Sequence, residues 1–169
     1  ARVKAFARTI TAHVRSMNVT YELLSKTGSE HVSLTSLLER ICDNMQENRS
    51  PEECRIVTQI SGDDVYLLEN TASTVALIVN ELIQNSLKYA FPDREEGRIS
   101  MQIKRKTGES WVTVCDNGGG YDREKILKDS SGLGLRLINS LVRYSLHGEI
   151  FMDSDSTGTR VRFSFPTCS

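Results

Sequence analysis

Apolar residues at Val3, Ala7, Ile10, Val14, Met17, Tyr21 and Leu24 recur at spacings of 4, 3, 4, 3, 4 and 3. A stripe of that period predicts a helix over residues 2–25 of the kind that pairs in a coiled coil or a four-helix bundle. Gly28 breaks it. A second amphipathic pattern, Leu34, Leu37, Leu38, Ile41 and Met45, predicts a helix over 34–45. Ser36 and Glu39 have capping-box spacing, with Ser33 as a competing cap. The polar stretch 46–53, with Pro51, reads as a loop or boundary. A short strand over 55–60 precedes a long helix over 71–90, which must stop before Pro92 because the residue ahead of proline is pushed out of the helical region. Alternation then takes over. Ile99, Met101 and Ile103 predict a strand over 99–105, and Val112 and Val114 another over 111–115. After a glycine-dense loop come a helix over 133–146 and a closing hairpin, 149–152 and 160–165, turned through 156–158, with Val161, Phe163 and Phe165 facing the core. Long helices packed on one antiparallel-rich sheet predict a two-layer α/β sandwich.

The chain has 169 residues, the size of one domain or of one domain with a helical appendage. Its 38% hydrophobic and 25% charged residues are those of a globular protein. Lys and Arg number 21 against 22 Asp and Glu. Without a basic excess to hold a phosphate backbone, the balance argues against a nucleic-acid binder. No apolar run approaches the ~18 residues of a membrane span and no secretory signal opens the chain, so no membrane contact is expected. Ala1 falls inside the heptad pattern, which reads as a piece of a longer protein. Cys42, Cys54, Cys115 and Cys168 lack metal spacing and fit a reducing cytosol.

Three local signals carry chemistry. Five of the 11 glycines (Gly118, Gly119, Gly120, Gly132 and Gly134) fall between positions 118 and 134, where an even spread would leave about one. Glycine lets backbone approach a ligand, and phosphates bind where N–H groups converge, above all at a helix N-terminus. Gly132-Leu133-Gly134-Leu135 stands where the last long helix should begin, although a loop with two tight turns accounts for the pair equally well. No Gly-Lys-Ser/Thr ending makes it a Walker loop. The second signal is Asp116-Asn117-Gly118-Gly119-Gly120 directly after a strand. A carboxylate there can accept a hydrogen bond from an exocyclic amine such as adenine's while the base lies on bare backbone. An Asx-turn closing the strand is the plain alternative. The third is the long helix, where Glu81, Asn85 and Lys88 share a narrow face opposite Val79, Ile83, Ser86, Leu87 and Ala90 on the core side. These groups suit a magnesium–triphosphate site: Asn85 offers a hard oxygen ligand, Lys88 neutralises phosphate, and Glu81 orients or deprotonates a nucleophile. A solvated face with Glu–Lys pairing reads the same residues without a ligand. Trp111 is expected on the outer face of the sheet, Cys115 in the core, and residues 104–106 in a solvated turn.

Residues 80–92 resemble the N-box of the GHKL ATP-binding superfamily in the form seen in sensor histidine kinases. Asp116-x-Gly118-x-Gly120 resembles its first glycine box, Gly132-Leu133-Gly134-Leu135 its second, and Thr157-Gly158-Thr159 its terminal Gly-Thr element, in the right order. The resemblance implies a Bergerat fold, a mixed sheet with three main helices on one face, preceded by a helical dimerisation segment. It implies ATP as substrate and Mg2+ as cofactor. Asp116 would bind the adenine amine, with Gly118 and Gly120 lining the base and Thr159 supporting the pocket. Asn85 would ligate magnesium, and Glu81 would be the catalytic acid–base residue near the γ-phosphate. Lys88, Tyr89 and Tyr121 would contact the nucleotide, and Gly132, Leu133, Gly134 and Leu135 would wrap its phosphates. Residues 122–131 would form a short lid, without the separate Phe-rich box of the family.

The N-terminal residues resemble the second helix of a dimerisation hairpin in the kinases whose N-box reads Asn-Glu-Leu. The implied division is 1–30 for an incomplete hairpin and 31–169 for the catalytic domain. None of His13, His31 and His147 has the acidic neighbour of a phosphoacceptor, which is expected upstream. The expected protein is a cytoplasmic histidine kinase, homodimeric in its parent, that passes phosphate to a response-regulator receiver domain. The alternatives are a serine kinase like the anti-sigma factors and a non-catalytic, ATP-gated dimerisation module.

Overall fold

The structure, a computed structural model, describes residues 31–120 and 132–167. The heptad segment, residues 121–131 and residues 168–169 lie outside them. In chain order the elements are β1 (His31–Ser33), α1 (Leu34–Glu47), β2 (Arg55–Gly62), β3 (Tyr66–Leu68), α2 (Glu69–Tyr89), β4 (Glu96–Lys106), β5 (Glu109–Asp116), α3 (Gly132–Ser140, running on as a π turn over Leu141–Ser145), β6 (Ile150–Asp155) and β7 (Gly158–Pro166). Five strands make a mixed sheet in the order β2-β4-β5-β7-β6, in which β2 runs parallel to β4 and the other neighbours are antiparallel.

Period two decides which side of this sheet is covered. Ile99, Met101, Ile103, Val112, Val114, Val161, Phe163 and Phe165 are all buried, and they pack with the apolar faces of the three helices. The α/β sandwich expected from the pattern is therefore present. Helix α1 presents Leu34, Leu37, Leu38, Ile41, Cys42 and Met45 to this core. Ser33, not Ser36, caps it by accepting the Ser36 amide at 3.2 Å, and Asp64 takes the Thr35 amide. Helix α2 is buried on more than one side through its middle (Val75 to Val79, then Glu81 to Ile83). It ends as expected ahead of Pro92, with the Ala90 amide bonded to the Ser86 carbonyl at 2.8 Å.

Two expectations are corrected. The last helix is not α-helical to residue 146. Its final turn widens, so that the Leu146 amide reaches the Leu141 carbonyl at 2.9 Å. The extra residue in that turn keeps Ile138, Val142 and Leu146, spaced four apart, all buried. The pattern also gave no hint of β1 and β3, which pair as a separate two-stranded ribbon. Each has three residues, too few for a period to show.

Candidate active site

A cleft opens between the C-terminal half of α2, the ends of β5 and β7, and the start of α3. Leu82, Val114, Leu135 and Val161 make its walls apolar, while Ser86, Asp116 and Thr159 make one end polar and Asn85 and Tyr89 complete the α2 side. Asp116 is the last residue of β5, and its carboxylate is held by three donors. Oδ1 accepts the Gly118 amide at 3.0 Å and the Thr159 amide at 3.2 Å. Oδ2 accepts the Ser86 hydroxyl at 2.8 Å. The donors come from the loop after β5, from β7 and from α2. A carboxylate so fixed at the end of an apolar slot can take one further donor from a flat ligand.

The glycines around it have structural reasons. A Cβ on Gly118 would stand 2.4 Å from both the Cβ and the carbonyl oxygen of Ala90. Gly120 has φ +69°, and a Cβ there would meet the Asp155 carbonyl oxygen at 1.9 Å. The loop is thus pressed against the end of α2 on one side and the β6–β7 hairpin on the other. The Gly119 amide seals the first contact by donating to Ala90 O at 3.0 Å. Asn117 ties the same loop to β4: its side-chain oxygen accepts the Arg98 amide at 2.7 Å, and its carbonyl accepts from Arg94 at 2.6 Å. Neither Asn117 nor Ser86 was singled out from sequence for this role, because their partners lie far along the chain.

Further along the cleft, Glu81 and Asn85 come together at the start of α3. Gly134 lies against both, and a Cβ on it would stand 3.5 Å from Glu81 Oε2 and 3.6 Å from Asn85 Oδ1. The absent side chain leaves that corner open. Asn85 Nδ2 is buried there with no hydrogen-bond partner. A buried amide without a partner is costly, so this group is suited to a ligand that completes it. A half-turn of the carboxamide presents its oxygen instead. The solvated-face alternative fails for Glu81, which is only 5% exposed. It holds for Lys88, which is exposed and places its ammonium 4.8 Å from the centre of the Tyr89 ring.

Of the predicted site residues, Asn85, Tyr89, Asp116, Leu135 and Thr159 line the cleft, Glu81 and Gly134 adjoin it, and Gly118 and Gly120 shape the loop beneath it. Gly132 and Leu133 open α3. Tyr121 and the segment 122–131 lie outside the described residues. Ser86 was expected in the apolar core and instead faces Asp116, because its position on α2 meets the end of β5 rather than its middle. Cys115 is also corrected. It is half-exposed on the outer face of the sheet, where Arg160, cross-strand from it, is held above the ordinary arginine value by the neighbouring Cys115 side chain. Odd-numbered β5 residues point outward there, and Trp111, as expected, is among them, stacked on Phe151 with centroids 6.0 Å apart.

The family model described as histidine kinase-, DNA gyrase B-, and HSP90-like ATPase matches residues 70–168. The sensor histidine kinase PdtaS of Mycobacterium tuberculosis is 29% identical over 155 residues, which cover 90% of this chain and 31% of that protein. The chain thus spans about a third of the length of such curated relatives. An anti-sigma F factor of Clostridium botulinum is 26% identical over 100 residues, 53% of this chain and 67% of that one. The histidine kinase domain of the blue-light activated histidine kinase of Erythrobacter litoralis superposes with a TM-score of 0.72 at 25% identity, covering 92% of this chain and 73% of that one.

Proposed function

Because the chain belongs to the histidine kinase-, DNA gyrase B- and HSP90-like ATPase family, an ATP-binding fold, we propose that it is the catalytic region of a sensor histidine kinase. It moves the γ-phosphoryl of ATP to a histidine nitrogen, releasing ADP, and the phosphoryl group passes on to an aspartate of a response-regulator receiver domain. The observation that carries this is the Asp116 carboxylate, pinned by Ser86, Gly118 and Thr159 at the polar end of an apolar cleft. Adenine fits there through its 6-amine. Its ring packs against Leu82, Val114, Leu135 and Val161.

The triphosphate extends toward Glu81, Asn85 and the glycines that open α3, where backbone N–H groups favour anions. Magnesium fits the same corner, on the orphaned Asn85 amide and the space left open by Gly134. Asn85 would supply an oxygen ligand to the ion, whose charge would offset that of the phosphates when bound. Lys88 and Tyr89 sit at the rim for phosphate and ribose, the glycines that open α3 serve the phosphates, and Tyr121, outside the described residues, is a further nucleotide contact. Glu81 orients or deprotonates the attacking nitrogen. Most of the rate then comes from positioning and charge neutralisation. Residues 1–30 belong to a dimerisation hairpin and residues 31–169 to the catalytic domain. The parent is homodimeric, and this region of it faces the cytoplasm whether or not the parent is membrane-anchored. Among the described residues no helix is long and apolar enough to cross a membrane.

The test is calorimetric titration of Asp116→Asn with ATP. The variant keeps an oxygen for the Gly118 and Thr159 amides but turns an amide toward the adenine amine. Affinity should fall by about 1–3 kcal/mol. ATP binding equal to that of the parent would sink the assignment. Similarity to the anti-sigma F factor favours a second reading, a serine kinase. Acid-stable rather than acid-labile phosphate on the protein substrate would select it.

A further inference from the structure

Ser86 stands on α2, thirty residues before Asp116, and is only 8% exposed. Its hydroxyl donates to Asp116 Oδ2 at 2.8 Å. Thr159, the other hydroxyl at this end of the cleft, is engaged elsewhere, 3.0 Å from Ser154 Oγ. Among the described residues Ser86 is therefore the one side chain that donates to the carboxylate. We propose that Ser86 is a positioning residue that makes the pocket select a 6-amino purine. This rests on Asp116 being the acceptor of the adenine amine.

The reasoning is a count of donors and acceptors. A carboxylate offers about four lone-pair sites. Two backbone amides occupy Oδ1 and the Ser86 hydroxyl occupies one site on Oδ2. One acceptor site is left on Oδ2 for a ligand. The hydroxyl proton is committed to the carboxylate, so Ser86 offers no donor to a 6-oxo group. The closed end of the cleft thus presents a single fixed acceptor. The Ser86 hydroxyl fills the other site on Oδ2. Without it, Oδ2 gains a second open site. A water that enters beside it can point either a hydrogen or a lone pair at the base, and the preference for an amine is diluted.

The experiment is calorimetric titration of the purified chain and of Ser86→Ala and Ser86→Cys. The ligands are magnesium-ATP and magnesium-purine riboside triphosphate, which lacks the 6-amine. The cysteine variant nearly preserves volume but is a weak donor. In the parent, ATP should bind more tightly than the analogue. Both variants should lose about tenfold in that preference through weaker ATP binding, with the analogue unaffected. Equal weakening of both nucleotides, or an unchanged preference in both variants, would overturn the role of Ser86. A parent that binds the two nucleotides equally would instead overturn the role of Asp116.

Discussion

Replacing Gly118 with alanine adds one methyl group at the most crowded turn of the site. That methyl carbon would stand 2.4 Å from Ala90 Cβ, 2.4 Å from Ala90 O and 2.7 Å from Ala90 Cα. Two of these atoms are backbone, so no side-chain rotation relieves the clash. Carbon atoms are comfortable at about 3.5–4.0 Å, so the loop must retreat by about 1 Å from α2. Retreat stretches the Gly119 amide bond to Ala90 O, now 3.0 Å, and pulls the Gly118 amide from Asp116 Oδ1. Overpacking of this kind costs about 1–3 kcal/mol and a lost hydrogen bond about 1 kcal/mol. Gly118→Ala should therefore destabilise the fold by about 2–4 kcal/mol, which a domain of ordinary stability survives. It should also weaken ATP binding by about tenfold, because the acceptor of the amine loses one of the three donors that fix it. Gly119→Ala is the matched control: a Cβ there meets nothing within 4 Å. It should change stability by less than about 0.5 kcal/mol. Urea unfolding and ATP titration of both variants measure the difference. Equal losses in the two, or none in Gly118→Ala, would refute the packing account of the first glycine box.

Asn85→Ala should abolish the gain in ATP affinity that magnesium confers, read by titration with the ion and with a chelator; a full magnesium effect in the variant would reassign the ligand. Glu81→Gln should leave ATP affinity of the chain within about threefold of that of the unsubstituted chain while lowering phosphoryl transfer, followed with γ-labelled ATP in the longer protein that carries the acceptor histidine, by about two orders of magnitude; unchanged turnover there would remove Glu81 from the chemistry. Burial raises the Cys42 thiol from 9.0 to about 11. The folded chain therefore holds a proton that the unfolded chain releases between these values, and stability should fall as pH rises through them. Cys42→Ala should flatten that fall in unfolding experiments run from neutral to alkaline pH. A parent whose stability stays level across that range would show the thiol to be solvated.

Among the described residues, periodicity located the long elements that bury one face. Leu34 to Met45 on α1, the alternating core residues of β4 and β5, and the β6–β7 hairpin were all legible from spacing alone. Legibility failed where the cause was not local. The plain alternative to a ligand site read Glu81 as half of a solvated face, yet it is buried beside Gly134 of α3, and nothing near residue 81 encodes that burial. Ser86 read as core because its helical angle matches Ile83 and Ala90, but the strand it meets ends at Asp116. The Asn117 bond to the Arg98 amide joins residues 19 apart and leaves no short-range trace. The π turn follows from where Val142 and Leu146 must land on the sheet, a demand of the assembled core. The first glycine box was read from sequence for an incomplete reason. Close backbone approach was expected toward a ligand, and at Gly118 and Gly120 it is toward Ala90 and Asp155.

The three donors to Asp116 come from positions 86, 118 and 159. During synthesis the last of them leaves the ribosome well after the first two. A nascent chain that has already made the N-box and both glycine boxes still lacks the strand that completes the pocket. Nucleotide binding is therefore deferred until nearly all of the domain has been translated. A chain truncated before β7 should not compete for ATP, and acquisition of the nucleotide can serve as a report that synthesis has passed Thr159.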